Sequence, residues 1–185
     1  MHKTVYLVTG NTKKVQVASH ALGKFGITVE QLKIDTPEIQ STNPEEVAKY
    51  SVKYAAEIAG KLVIKGDVGF HIDSLNGFPG PFIKYINQWF TPEQFINTYK
   101  SEVNRKSHFT DALACCEPGK EPVCFVYESH GTLIDTPRGD NGVMIDSLFI
   151  PDGHKKTLAE MTHEETLEYW NNDRYAKLAA YLKNN

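Results

Sequence analysis

A short polar turn near the N terminus, residues 8–14, holds the residue types best suited to bind an anion. It lies between an apolar, strand-like segment and an amphipathic, helix-like segment. The first N–H groups of a helix have no partner within the helix and carry partial positive charge, so a phosphate is stabilised there. Lys13 and Lys14 add full positive charges. The turn therefore predicts a phosphate site, although Thr9 or Asn11 could instead simply cap the helix beside two solvated lysines.

Two carboxylates are candidates for binding a metal. Asp67 has glycines on both sides, at Gly66 and Gly69, and these leave room for a bulky ligand or a hydrated ion to approach. Magnesium is usually held through one or two carboxylates together with substrate phosphates. Asp67 could equally be an ordinary turn residue, because Asp and Gly favour turns. Glu38 follows a predicted strand, and taken alone it is more typical of a protein surface.

The other polar segments carry less specific signals. Residues 138–142 form a turn-like segment before Asp146. This segment could be an ordinary loop or a ligand contact. No HExxH pattern and no Gly-x-Ser-x-Gly pattern occurs. We therefore expect the histidines to be structural or exposed: His71, His108, His130, His154 and His163. The residues by themselves predict only that the protein binds a phosphate ligand with the help of magnesium.

Composition limits the class of protein. The 185 residues include 20 Lys plus Arg and 23 Asp plus Glu, so the net charge is −3, which argues against a nucleic-acid-binding surface. Hydrophobic residues make up 41%, enough for a core in one domain. No apolar run reaches membrane-spanning length and the start lacks signal-peptide features, so we expect a cytoplasmic location. The cysteines have no disulfide or zinc spacing and predict reduced, packed thiols: Cys115, Cys116 and Cys124.

Hydrophobic periodicity predicts the elements that must position these residues. Strands and helices alternate in the first half, and a hairpin of 107–116 with 123–133 occupies the second. This order favours a mixed α/β sheet with helices packed against it. The other predicted segments are strands at 5–8, 29–34, 62–64 and 70–72, and helices at 14–25, 44–60, from 91 and 162–182.

Taken together, these segments resemble the inosine triphosphate pyrophosphatase family, also called Ham1-like, and the chain is identified as a divergent member. The matching pieces span nearly the whole chain in family order: 9–14, 34–38, Asp67, 75–84, 138–139, Asp146, 149–153 and 157–161. The resemblance implies one domain over residues 1–185, with an elongated mixed sheet flanked by helices. It also implies two lobes with a nucleotide in the cleft between them, and a homodimer. The implied reaction is hydrolysis of a nucleoside triphosphate to the monophosphate and pyrophosphate with Mg²⁺, without nucleic-acid or membrane partners.

The resemblance assigns roles at the phosphate end of the substrate. Asn11 and Lys14 would bind the triphosphate, and Thr9 would shape the turn. Glu38 would bind Mg²⁺, while Asp67 would assist with the metal or orient the attacking water. Asp67 and Lys14 are thus the implied catalytic residues. Hydrolysis of such a highly charged phosphate chain needs charge neutralisation, which cations supply.

At the base end the resemblance is weaker. Lys84 would line the cleft and Asp146 would face the base. Gly66 stands where the family carries an acid next to the catalytic Asp. Residues 143–147 lack the family's base-stacking aromatics, and its Ser-His-Arg signature, which reads the base, is replaced at 170–172.

Two classes of function remain open at this point. One is an enzyme of the same reaction type with altered base preference, using Glu38, Asp67 and a neighbouring acid such as Asp73 for the metal. The other is a catalytically impaired, nucleotide-binding or regulatory paralogue. Cleavage of a different phosphorylated substrate is a third possibility, because the phosphate end matches the family better than the base end does.

Overall fold

A computed structural model of the protein describes residues 3–184, with side chains from residue 4 onward. Its strands are β1 Lys3–Val8, β2 Ile27–Leu32, β3 Val63–Ile72, β4 Pro79–Gly80, β5 Lys106–Cys116, β6 Val123–Leu133 and β7 Phe149–Pro151. Its helices are α1 Thr12–Gly23, α2 Pro44–Ala59, α3 Ile83–Trp89, α4 Pro92–Tyr99, α5 His163–Trp170 and α6 Asp173–Asn184. Short 3-10 helices lie at Asp73–Leu75, Met144–Ser147 and Leu158–Glu160.

The strands form one mixed sheet in the order β2-β1-β3-β5-β6-β7, with β4 also pairing with β3. β1 is parallel to both β2 and β3, whereas β4 and β7 run antiparallel to their partners. β5 and β6 are neighbours joined by a connection too short for a parallel crossover, so they form the predicted hairpin. The predicted α/β fold, a mixed central sheet flanked by helices, is confirmed.

Local signals account for the helix ends. Asn43 accepts a hydrogen bond from the Glu45 N–H at 2.9 Å, Pro44 opens α2, and Gly60 closes it with φ of 62°. Thr91 and Gln94 form a capping box at the start of α4, the helix predicted from residue 91. These ends were predictable because each depends on residues within one turn of the helix.

Two predicted elements are wrong. Residues 62–64 and 70–72 do not flank a turn but belong to the continuous strand β3. Gly66 serves close strand packing there, since a Cβ at this position would lie 3.3 Å from the Ala112 carbonyl oxygen on β5. The predicted helix over 162–182 is two helices, α5 and α6. α6 begins where the Tyr175 N–H donates to the Asn172 carbonyl at 3.1 Å.

The chain divides into two compact units. Unit 1 comprises the residues up to Asp67, together with Asp111–Tyr127 and the residues from Leu167 onward. Unit 2 comprises Val68–Thr110 and Glu128–Thr166. The single domain over residues 1–185 stays a prediction.

Each unit has its own apolar core. In unit 1, α1 and α6 pack on β1 through residues that include Val5, Leu7, Ala18, Leu22 and Leu178. In unit 2, the rings of Phe70, Phe109 and Phe149 contact one another with centroids 4.7 to 5.5 Å apart. No helix within residues 3–184 combines the length and the apolar character needed to cross a bilayer.

The cysteines are free thiols, as predicted. Cys115 and Cys116 are buried and Cys124 is partly buried. Burial raises the pKa of Cys124 to about 11, so it is a packed thiol and not a nucleophile at neutral pH.

A row of three histidines crosses neighbouring strands of unit 2. The ring centroids of His71 and His108 are 4.9 Å apart with planes 14° apart, and those of His108 and His130 are 5.2 Å apart. Asp73 lies 3.6 Å from His108, and Glu128 lies 3.4 Å from His130. The planes of His71 and His108 are nearly parallel, so the lone pairs of these two rings point side by side and not toward one ion. Consistently, among the described residues no group of three or more His, Cys, Asp or Glu side chains is arranged to hold a metal.

We expect the histidine row to make the protein less stable in mild acid. Burial and the neighbouring His108 lower the pKa of His71, although the Gly77 backbone and Glu128 oppose this. The folded state therefore takes up a proton less readily than the unfolded state, and stability is lost as the pH falls below about 6.5. Because His71 is partly exposed, the free energy of unfolding should change with pH by less than the limit for one proton, about 1.4 kcal/mol per pH unit.

The measurement is urea unfolding between pH 7.5 and 5.5 for the parent, His71→Gln and the control His163→Gln, which changes an exposed histidine at the start of α5. His71→Gln should make the free energy of unfolding less dependent on pH, whereas His163→Gln should have no such effect. Equal slopes in all three proteins would contradict the prediction.

Candidate active site

In unit 1, the polar turn between β1 and α1 is organised by two of the predicted residues. Thr9 is fixed to β2: its N–H donates to the Leu32 carbonyl at 3.1 Å, and its carbonyl accepts from Gln31 Nε2 at 2.9 Å. The Thr9 hydroxyl oxygen accepts from the Asn11 N–H at 3.0 Å. Asn11 caps α1 by accepting from the Lys13 N–H at 2.9 Å. Capping uses only the amide oxygen of Asn11, and its Nδ2 group is a hydrogen-bond donor suited to an anion.

Lys14 links this turn to β3. Its Nζ donates to the Gly66 carbonyl oxygen at 3.1 Å, across 52 residues of sequence. The ammonium group therefore sits beside the residue that precedes Asp67. α1 and β3 thus bring a helix N terminus, a lysine and a carboxylate into one part of unit 1, which is the combination that a metal-bound phosphate requires.

The two predicted metal ligands differ in setting. Asp67 lies in the interior of β3, not in a turn, and its Oδ2 atom is buried. Glu38 is exposed in the irregular segment between β2 and α2. Since the described residues hold no ready-made cluster of three ligands, a magnesium ion here needs substrate oxygens and water to complete its shell. Oxygen donors on one or two carboxylates fit that requirement.

A buried ion pair in unit 1 was missed by sequence reasoning. Arg174 Nη1 lies 3.0 Å from Asp111 Oδ2, and their side chains are only 9% and 6% exposed. Burial raises the pKa of Asp111, while the charges of Arg174 and Lys14 oppose that rise. Lys14 therefore acts electrostatically on this pair as well. The available signal was a pair of charged residues within apolar patterns, Asp111 in β5 and Arg174 on the buried face of α6.

In unit 2, Lys84 and Asp146 belong to two elements in contact with each other. Lys84 is exposed in the first turn of α3. Asp146 lies in the 3-10 helix Met144–Ser147, where its Oδ2 accepts from the Val143 N–H at 2.9 Å. Asn87 on α3 joins the two elements, because its Oδ1 accepts from the Ile145 N–H at 3.1 Å.

The turn that leads to Asp146 is held by its backbone. The Arg138 N–H donates to the Ser147 carbonyl at 2.9 Å, and the Arg138 carbonyl accepts from the Thr157 hydroxyl at 2.8 Å. Gly139 has φ of 79°, and a Cβ there would lie 2.4 Å from the Ala159 carbonyl atoms. Only glycine fits both this backbone conformation and this contact.

We expect Gly139→Ala to destabilise the protein by about 3 kcal/mol, because strain at positive φ adds to an overpacking clash. Gly153→Ala is the matched control, since Gly153 has φ of 80° but nothing within 4 Å of its Cβ position. The control should lose only about 1 kcal/mol. Thermal unfolding of both variants measures the difference, and equal losses would contradict the packing argument.

Comparison with known proteins places this arrangement in a family. The sequence model described as the Ham1 family matches residues 5–172. The chain belongs to the Ham1 family. A protein of Methanopyrus kandleri named dITP/XTP pyrophosphatase is 38% identical over 182 residues, covering 98% of this chain and 97% of that protein. A protein of the same name from Thermococcus kodakarensis is 35% identical over 158 residues, 85% of each.

Solved structures agree at the level of the fold. The Staphylococcus aureus Ham1 protein matches with a TM-score of 0.80 at 22% identity, covering 98% of this chain and 99% of that one. A Ham1 protein from Coxiella burnetii matches with a TM-score of 0.78 at 21% identity, covering 99% and 100%. The resemblance deduced from sequence is therefore confirmed.

Within this Ham1 chain, the predicted site residues are divided between the two units. Thr9, Asn11, Lys14 and Asp67 belong to unit 1, where Lys14 bonds to the residue before Asp67, and Glu38 lies in the irregular segment of the same unit. Lys84 and Asp146 belong to unit 2, where Asn87 joins their two elements. Their chemical roles stay predictions.

Proposed function

We infer that this protein hydrolyses non-canonical nucleoside triphosphates, releasing a nucleoside monophosphate and pyrophosphate. Its full-length similarity to proteins named dITP/XTP pyrophosphatases carries this conclusion. The geometry of unit 1 supports it, since Lys14, the α1 N terminus and Asp67 supply the cations and the carboxylate that the reaction needs. Nothing observed favours the impaired, regulatory alternative.

In the proposed reaction, water attacks the α-phosphorus and the bond from that phosphorus to the bridging oxygen of the β-phosphate breaks. Pyrophosphate leaves with the bridging oxygen, and the water proton passes to a base. Asp67 orients the water and accepts this proton. Lys14 and the N–H groups and Asn11 amide at the start of α1 neutralise negative charge on the phosphates, with Thr9 shaping their turn.

We propose that Mg²⁺ is held by Asp67 and Glu38 together with phosphate oxygens. Their oxygen chemistry supports this, as does the need for charge neutralisation on the triphosphate. When bound, the ion would supply that neutralisation. At the base end, we propose Lys84 and Asp146 as substrate contacts. The homodimer, the absence of nucleic-acid partners and the cytoplasmic location stay predictions.

A pyrophosphate-release assay tests the function directly. The substrates are dITP, XTP, ITP, dUTP and the four ordinary nucleoside triphosphates, each with and without Mg²⁺. We expect kcat/KM for dITP or XTP to exceed that for the ordinary nucleotides by at least about tenfold. One pyrophosphate should form per monophosphate, and chelation of Mg²⁺ should abolish release. Nucleotide binding without any release would favour the regulatory paralogue.

A further inference from the structure

The contact between Asn87 and Ile145 has the geometry of a helix cap supplied from outside. Ile145 is in the first turn of the 3-10 helix Met144–Ser147, where backbone N–H groups lack partners within the helix. The residue at the N-cap position is Val143, whose side chain has no hydrogen-bonding atom. Asn87 Oδ1 accepts from the Ile145 N–H at 3.1 Å and so performs the capping that Val143 cannot.

Asn87 shares a face of α3 with a proposed substrate contact. Residues three apart on a helix are surface neighbours, so Lys84 and Asn87 lie on one side. Tyr85 and Trp89 form the other pair, with ring centroids 5.3 Å apart and exposures of 39% and 70%. Asn87 thus contacts the 3-10 helix from the helical face that also carries the Cα atom of Lys84, whose Nζ lies 5.8 Å from the centre of the Tyr85 ring.

Two hydrogen bonds within residues 143–147 shape the 3-10 helix. Asp146 Oδ2 accepts from the Val143 N–H at 2.9 Å, and the Ser147 hydroxyl donates to the Met144 carbonyl at 2.8 Å. These local bonds shape the turn but do not fix its position relative to α3. The Asn87 bond spans 58 residues and joins the two elements.

We propose that Asn87 is a positioning residue that sets the placement of Asp146 relative to Lys84 and thereby controls nucleotide affinity. This inference rests on the proposed function, in which Lys84 and Asp146 contact the substrate. Asn87 itself acts through the Ile145 N–H and not on the reacting atoms. Loss of the hydrogen bond between Asn87 and Ile145 should weaken the binding of the substrate and of the transition state equally. The KM then rises while kcat stays nearly unchanged.

Three variants on α3 test this. Asn87→Leu keeps the size of the side chain but removes the acceptor, Asn87→Asp keeps a carbonyl-type acceptor, and Gln88→Leu changes an exposed neighbour that makes no such bond in the described structure. We expect Asn87→Leu to raise the KM for XTP about fivefold or more, with kcat within about twofold. Asn87→Asp should return KM to within about twofold of the parent, and Gln88→Leu should leave KM unchanged.

Two further readouts separate this inference from the proposed function. Hydrogen exchange at the Ile145 N–H should accelerate in Asn87→Leu and not in Gln88→Leu. If the parent binds XTP without cleaving it, the proposed hydrolysis fails, and the same variants are compared by Kd measured in calorimetry. A KM or Kd unchanged in Asn87→Leu, a loss confined to kcat and thermal stability, or failure of Asn87→Asp to restore affinity would each overturn the proposal.

Discussion

Asp67→Asn is expected to lower kcat for pyrophosphate release by at least about 100-fold while the fold is retained. Asparagine matches the shape of the carboxylate but can neither accept the water proton nor contribute a negative charge to a metal ion. Asp67 lies in the middle of β3, a strand that pairs with β1, β4 and β5, so the exchange should leave the backbone in place.

The matched control is Asp35→Asn, which makes the same chemical change at an exposed position of unit 1. It should retain parental kcat. Circular dichroism and thermal unfolding would establish that both variants are folded. Parental turnover in folded Asp67→Asn would remove Asp67 from the mechanism.

Removal of one member of the buried ion pair should have the largest effect on stability. Arg174→Met leaves the Asp111 carboxylate buried without its partner, and we expect a loss of about 3–5 kcal/mol in the free energy of unfolding. The loss should shrink at low pH, because burial already raises the pKa of Asp111 and a proton can then neutralise it in the folded state. Urea unfolding at pH 7 and pH 4.5 measures both effects.

Two controls define what the pair contributes. The double variant Asp111→Leu with Arg174→Met should regain most of the lost stability, since apolar residues can replace a buried pair. Lys53→Met removes the exposed pair with Glu121, whose side chains are 47% and 85% exposed, and should leave the free energy of unfolding nearly unchanged. A double variant no more stable than Arg174→Met would show that the site requires charge.

The features that sequence reasoning predicted correctly are those set by neighbouring residues. Asn43 and Gly60 bound α2 where their types require it, and Asn11 caps α1. The predicted break in β3 is wrong because glycines and an aspartate favour turns locally, whereas the residues pair as one continuous strand with β1, β4 and β5. Those partners are distant in sequence.

The same limit applies to the candidate site. Its proposed phosphate end could be predicted from sequence because Thr9, Asn11 and Lys14 lie in one contiguous turn. The pairing of Asp111 with Arg174 was not found, because β5 and α6 meet only through the tertiary fold. A charged residue within an apolar pattern indicates a buried ion pair, but the sequence does not show which residue is its partner.

The hydrogen bond from Lys14 ends on the backbone of Gly66 and not on a side chain, so the lysine keeps its anchor whatever residue occupies that position. The neighbouring strand restricts that position more tightly, because a Cβ there approaches the Ala112 carbonyl oxygen to 3.3 Å. An acidic side chain at position 66 therefore requires β5 to shift by a few tenths of an ångström. We expect Gly66→Asp to be tolerated better when a residue of β5 changes together with it.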